Sequence, residues 1–289
     1  MAGDAANAPA TFNRCVAHLL RPVRDFAPSY FDDVYIHSRA KGSASDVEVH
    51  RKHLRALFTL MREHKLYARL QKCIFGASEI PVLGCFVGKN GVRPDPEKIR
   101  AISEWPTPTD VKELRKFLGL ATYLHKYAKT YAELSLPLSH LLKKDVAWHW
   151  SRECDQAFNA IRQSLMSAPV LAIANPDRPF YVVCDASDFA IGCALMQRDQ
   201  DGAERVVCYH SRQVKPAERN YPVHDKELLA MKFSLAKCRV YLLGSRPFVI
   251  YTDHASLRTA INSPHLSQRM YPSLLNSTSQ LNTSQGDQM

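Results

Sequence analysis

The sequence predicts a multidomain protein of mixed class, α+β in its first part and α/β in its last. Three observations carry this. An acidic segment, Tyr30-Phe31-Asp32-Asp33, lies between two stretches of strand character, Ala27 to Tyr30 and Val34 to Ser38. A long middle region repeats apolar residues at helical spacing. From Phe180 onward, three β-rich runs, a helix and a fourth strand follow one another, the order of an α/β layer. With 289 residues, 46% of them hydrophobic, the chain can form two or three domains with buried cores.

The first element is a helix bearing Cys15, Val16, Leu19 and Leu20 on one face, ending at Pro22. A hairpin follows, turning at the acidic pair. His50, Leu54, Leu57, Phe58 and Met61 then recur at helical spacing behind the capping candidates Ser45 and Asp46. Val82 to Val87, Lys89-Asn90-Gly91 and Val92 read as a second hairpin with Asn-Gly as its turn. Asp95-Pro96 starts another helix and Trp105-Pro106 closes it. Asp110 with Glu113 opens the next in the manner of a capping box, with Val111, Leu114, Phe117, Leu118 and Ala121 inward and Lys112, Arg115 and Lys116 outward. After the joint at Leu136-Pro137 and the core candidates Trp148 and Trp150, one more helix carries Cys154, Phe158, Ile161 and Leu165. Strands are predicted at Phe180 to Cys184, Ala190 to Gln197 and Val206 to Ser211, then a helix from Val223 to Leu242 and a strand from Phe248 to Thr252. The Ser-, Asn-, Thr- and Gln-rich stretch from Tyr271 to Met289 is expected to be disordered.

Thirty-eight basic residues against 28 acidic give a formal charge of +10, which points to a polyanionic partner, most simply nucleic acid. No run of about 18 apolar residues and no secretory layout at the N-terminus are found, so the expectation is an intracellular protein, cytoplasmic or nuclear, with no membrane partner. The eight cysteines have no Cys-x-x-Cys pair and no His-Cys ligand spacing in sequence. They are read as reduced, mostly buried thiols, with neither a zinc site nor a disulfide framework.

Two groups of carboxylates are candidates for metal chemistry. Asp32 and Asp33 are adjacent at a chain reversal, where two acids can approach one cation; the same pair also reads as a polar turn. Asp185 at the end of the first late strand, Glu227 in the first turns of the helix and Asp253 at the end of the fourth strand can meet at the carboxyl edge of a sheet. Any one of them alone is more simply a cap or turn residue. His210, His224 and His254 adjoin these acids and are assigned structural roles at most.

The words around these acids are specific. Val183-Cys184-Asp185-Ala186-Ser187, Ile191-Gly192-Cys193-Ala194-Leu195, Tyr209-His210-Ser211-Arg212, Glu218-Arg219-Asn220-Tyr221, Asp225-Lys226-Glu227-Leu228-Leu229-Ala230 and Tyr251-Thr252-Asp253-His254 resemble the ribonuclease H domain of gypsy-type LTR retrotransposon polyproteins. Tyr30-Phe31-Asp32-Asp33 resembles the Tyr-x-Asp-Asp metal motif of reverse transcriptases. Leu83-Gly84 with Gly91-Val92 resembles that family's primer-grip hairpin, and Asp95-Pro96-Glu97-Lys98-Ile99 the start of its thumb. Phe117-Leu118-Gly119-Leu120 with Tyr123 resembles the thumb itself, and Cys154-Asp155-Gln156-Ala157-Phe158 with Ala168-Pro169-Val170-Leu171 the connection. The likeness is collinear over roughly residues 7 to 270.

The resemblance implies a partial reverse-transcriptase palm over 1–94, a helical thumb over 95–145, a connection over 146–179, a truncated ribonuclease H-like domain over 180–270 and a tail over 271–289. It implies catalytic and metal-binding roles for Asp185, Glu227 and Asp253, and for Asp32 and Asp33, with two Mg2+ (or Mn2+) per site in the intact family. Glu227 is also expected near the attacking water. Nucleic-acid contacts are implied for Leu83, Gly84, Lys112, Arg115, Lys116, Lys126 and Lys129, the partners being RNA/DNA hybrid, primer-template and other parts of a parent polyprotein. The fingers and first catalytic aspartate of the family precede the matching region, and its fourth ribonuclease H acid follows it. The expectation is therefore no polymerase activity and weak or absent hydrolysis from this chain. The alternative is a binding remnant that grips nucleic acid without chemistry. An integrase-like fold also uses three acids but places its glutamate last, whereas Glu227 lies between the two aspartates.

Overall fold

Side-chain caps and turn residues fix where most elements begin and end. The computed structural model describes residues 8–243 and 248–252. Its contacts divide it into two compact units, Met1–Gly76 and Ala77–Met289.

In the first unit, α1 (Ala8–Leu19) leads through a 3-10 turn to the strand pair β1 (Ser29–Tyr30) and β2 (Asp33–Val34), and then to α2 (Asp46–Glu63). The strands are shorter than the sequence suggested. Tyr35 and His37 still donate to the Pro28 and Phe26 carbonyls, but Pro28 has no N–H to return, so no ladder extends there. Ser45 caps α2 with a complete capping box: its hydroxyl accepts from the Glu48 amide, and its own amide donates to the Glu48 carboxylate at 2.8 Å. Val16, Leu20, Val23, Ala27 and Leu57 form the core, flanked by Leu60 and Met61. Phe58, expected on the inner face, is 43% exposed, because the buried stripe of α2 follows Leu57, Leu60 and Met61 instead.

The second unit opens with an antiparallel sheet of three strands, β3 (Glu79–Val82), β4 (Cys85–Gly88) and β5 (Gly91–Pro94). The expected single strand from Val82 to Val87 is broken by a turn at Leu83 and Gly84, whose φ values of 48° and 72° reverse the chain and allow β3. Gly88 pairs with Gly91, so the next turn centres on Lys89-Asn90 rather than Asn90-Gly91.

Asp95 caps α3 (Pro96–Ser103) and Asp110 caps α4 (Val111–Leu124). The return arm of the expected second capping box goes elsewhere: the Glu113 carboxylate accepts from the amide and hydroxyl of Thr109, not from Asp110. Next come α5 (Tyr131–Leu134), α6 (Leu136–His140) and α7 (Arg152–Met166), the last capped by Ser151. Ile102, Leu114, Phe117, Leu124, Leu138, Phe158, Ile161 and Leu165 form their shared core, with Phe117 and Phe158 rings 4.6 Å apart and Trp148 and Trp150 packed against it.

The last layer contains β6 (Tyr181–Ala186), β7 (Ala190–Arg198), β8 (Glu204–Gln213), α8 (Val223–Lys237), α9 (Arg239–Leu242) and β9 (Val249–Thr252). The sheet order is β8-β7-β6-β9; β9 runs parallel to β6 and the other pairs are antiparallel. The helix expected to run from Val223 to Leu242 is interrupted at Cys238, where α8 ends. β6 continues through Ala186, so Asp185 lies within the strand. Alternation along β6 buries Val182 and Cys184 in the core shared with α8 and leaves Val183 and Asp185 exposed on the other face. On that side α5 meets the sheet: the Ala132 amide donates to Ser211 Oγ at 3.1 Å. Asp253, His254 and the 271–289 stretch lie outside the described residues.

Candidate active site

Strand register and helix packing converge on two carboxylates. Asp185 faces Gly192 across β6 and β7, exposed beside a residue that adds no side chain to cover it. Glu227, in the early turns of α8, is 1% exposed, and Thr252 Oγ1 donates to its Oε2 at 2.9 Å. Thr252 reaches it because β9 lies parallel to β6, with Thr252 in register with Cys184. The Cys184 thiol is pushed up to about 12, by burial first, with the charges of Glu227 and Asp185 adding to it. One thiol thus feels both acids at the carboxyl ends of two parallel strands, where α/β sheets hold ligands. Both groups offer hard oxygen donors of the kind magnesium takes. Asp253, the residue after Thr252, falls outside the described residues.

Two partners of this edge were not read from the sequence. Lys226, 7% exposed, donates to Asp188 Oδ1 at 2.6 Å, tying α8 to the β6–β7 turn and holding the Asp188 carboxyl below its usual range. Thr252 is the other. Asp188 lies three residues after Asp185 and Lys226 one before Glu227, which is the signal that was available.

A cleft of about 340 Å³ opens over the Asp185 face, lined by Lys129, Thr130 and Glu133 on one side and by Val183, Asp185 and Tyr251 on the other. Lys129 is therefore a cation facing the candidate acid. Lys112, Arg115 and Lys116 are exposed on α4. Lys126 is half-buried: its Nζ donates to Cys85 Sγ at 3.1 Å and lies 5.1 Å over the Tyr127 ring.

The primer-grip-like turn is held by α4. Tyr123 donates from its hydroxyl to the Leu83 carbonyl, and a Cβ added to Gly84 would collide with that hydroxyl. Leu83, 55% exposed, projects from this locked turn.

At the first unit's acidic hairpin, Tyr30 pairs with Asp33, so Asp33 is a strand residue and only Phe31 and Asp32 form the turn. Phe31 takes the positive φ of 51° that the reversal needs. Both aspartates are exposed, and Tyr35 donates to Asp33 Oδ2 at 3.3 Å. Burial, with the Asp33 charge second, raises the Tyr35 phenol.

Six of the eight cysteines are buried, and two of them cluster with a histidine. Cys208, His210 and Cys238 place their donor atoms within 4.8 Å of one another, a group that the scattered sequence positions concealed. His224, by contrast, has its ring 3.7 Å from Asp225 Oδ1.

Comparison with known proteins gives two family matches. Residues 5–87 match the model described as reverse transcriptase (RNA-dependent DNA polymerase), and residues 150–250 match the RNase H-like domain found in reverse transcriptase. The chain is 34% identical over 276 residues to the retrovirus-related Pol polyprotein from transposon opus of Drosophila melanogaster, covering 91% of this chain and 27% of that protein. It is 35% identical over 254 residues to the transposon Tf2-3 polyprotein of Schizosaccharomyces pombe, covering 87% of this chain and 19% of that one. It therefore spans less than a third of either relative. Among solved structures, the foamy viral protease-reverse transcriptase in complex with dsDNA superposes with a TM-score of 0.83 at 22% identity, over 99% of this chain and 60% of that one. The same viral protein in complex with RNA/DNA hybrid gives 0.79 at 22% identity, over 99% and 39%. These two likenesses establish the mixed α/β fold.

Proposed function

We propose that this chain is the reverse transcriptase and ribonuclease H portion of a gypsy-type retrotransposon polyprotein, which in the intact parent acts on the RNA strand of an RNA/DNA hybrid. The observation that carries the reading is geometric: Thr252 holds Glu227 and pairs in register with Cys184, the residue before Asp185 on β6. The two family matches support it, as does the hybrid bound by the foamy viral neighbour.

Asp185 and Glu227, with Asp253 following Thr252, are the residues that would hold magnesium or manganese. A divalent cation there supplies activation of water and stabilisation of the leaving oxygen in phosphodiester cleavage. Glu227, fixed by Thr252, keeps one carboxylate in place from the sheet's interior, while exposed Asp185 meets the substrate side of the cleft. Lys129 offers a phosphate contact across that cleft, and Lys112, Arg115 and Lys116 extend the basic surface along α4. Leu83 and Gly84 form the proposed primer contact. Asp32 and Asp33, both exposed, are the proposed polymerase acids.

The test is cleavage of a labelled RNA/DNA hybrid in Mg2+ or Mn2+ by the chain and by Asp185→Asn. The metal-dependent cleavage of the unaltered chain is expected to be weak and to be lost in Asp185→Asn, with hybrid binding retained in both. Equal cleavage by the two proteins removes Asp185 from the proposed site.

A further inference from the structure

On the face of the sheet covered by α8, four soft or borderline donors gather with no part in the proposed hydrolysis. Cys208 and His210 are two residues apart on β8, so both point to that face. Cys193 is the register partner of His210 on β7 and shares the face. Cys238 is the residue at which α8 ends, brought down onto the same spot. The three thiols are nearly inaccessible, with Cys193 6%, Cys208 7% and Cys238 0% exposed. Cys208 Sγ lies 3.6 Å from His210 Nε2, and Cys238 is hydrogen-bonded to both Cys193 and Cys208.

We propose that Cys208, His210 and Cys238, with Cys193 as fourth ligand, form a structural site for a soft divalent cation of the zinc class. A tetrahedral site with zinc–sulfur bonds of about 2.3 Å separates its sulfurs by roughly 3.8 Å. The donor atoms of Cys208, His210 and Cys238, already within 4.8 Å of one another, need move by only about an ångström to close on such an ion. Thiolate and imidazole donors select zinc over magnesium, so this site and the carboxylate site draw on different metals. The ligands come from the antiparallel pair β7–β8 and from the end of α8, so the ion fastens that helix to the sheet. Glu227 rides on the same helix. The site stands on packing alone and is independent of the nuclease reading.

The experiment is cobalt substitution of the full chain, purified under reducing conditions, together with zinc analysis of the protein as isolated. Zinc is expected at one per chain, and Co2+ is expected to give the intense near-ultraviolet thiolate-to-cobalt band. Cys208→Ser and Cys238→Ser should lose that band, while Cys184→Ser, altered in the same core but outside the cluster, should keep it. His210→Asn, which preserves all the thiols, should shift the visible cobalt bands, and circular dichroism reports whether each variant is folded. A folded chain showing neither zinc nor the cobalt band overturns the site. So does a Cys208–Cys238 disulfide found by mass spectrometry after rapid alkylation, and so does a band that survives both cysteine substitutions. None of these readouts requires hybrid cleavage, so this proposal and the nuclease reading fail separately.

Discussion

Lys126 and Lys129 are three residues apart, yet their surroundings differ completely. The Lys126 ammonium is committed to Cys85 and the Tyr127 ring, whereas Lys129 opens on the cleft that holds Asp185. Charge in the sequence marked both as phosphate contacts, and only packing separates them. Replacing Lys112, Arg115 and Lys116 together with Gln is expected to weaken hybrid binding and flatten its salt dependence, by about one unit of slope for each phosphate that is no longer neutralised. Lys126→Gln is expected to leave that slope nearly unchanged; fluorescence anisotropy across a salt series measures both. The acids were easier to read than the cations, because Asp185 and Glu227 sit in distinctive words. The Thr252 hydroxyl on Glu227 and the neighbouring Lys226–Asp188 pair became apparent only when β9 and α8 were folded against β6.

At the scale of elements, caps and strand alternation were legible because they are local: Ser45, Asp95, Asp110 and the apolar stripe of α7 all act as their sequence positions suggest. The break in the late helix at Cys238 and the turn at Leu83-Gly84 were not, since the first is set against the sheet and the second is held by Tyr123 from α4. The connection from β8 to α8 shows a further tertiary tie. Arg212 binds Glu218 at 2.7 Å, and the Glu218 carboxylate also accepts from the Lys215 amide. The Arg212 hydrogen bond, reinforced by that amide, holds the Glu218 carboxyl below its usual range. A group depressed in the folded state contributes stability above its unfolded pKa of about 4.3, and that contribution is lost as pH falls through the folded value. Glu218→Gln is therefore expected to lower the thermal midpoint at pH 7 and to shrink the difference from the unaltered chain as pH drops below about 4. Thermal unfolding followed across pH 3 to 7 would show it, and a constant difference across that range would exclude this ion pair as its source.

Across the whole chain, two kinds of metal chemistry are assigned to one sheet layer. Asp185 faces the cleft on one side, Glu227 is held by Thr252 at the strand ends, and soft thiols lie beneath α8. The order of the motifs made the mixed fold readable, because collinear words specify element sequence even where no single word is decisive. The thiol group was unreadable for the converse reason: Cys193, Cys208 and Cys238 are distant in sequence and meet only through β7–β8 pairing and the end of α8. The carboxylate site is the centre of the account, and its most direct test requires no turnover. Electron paramagnetic resonance of free Mn2+, titrated with the full chain, reports bound metal directly. The account predicts that Asp185→Asn binds fewer manganese ions than the unaltered chain, with Cys208→Ser binding as many; equal binding by Asp185→Asn and the unaltered chain would contradict it.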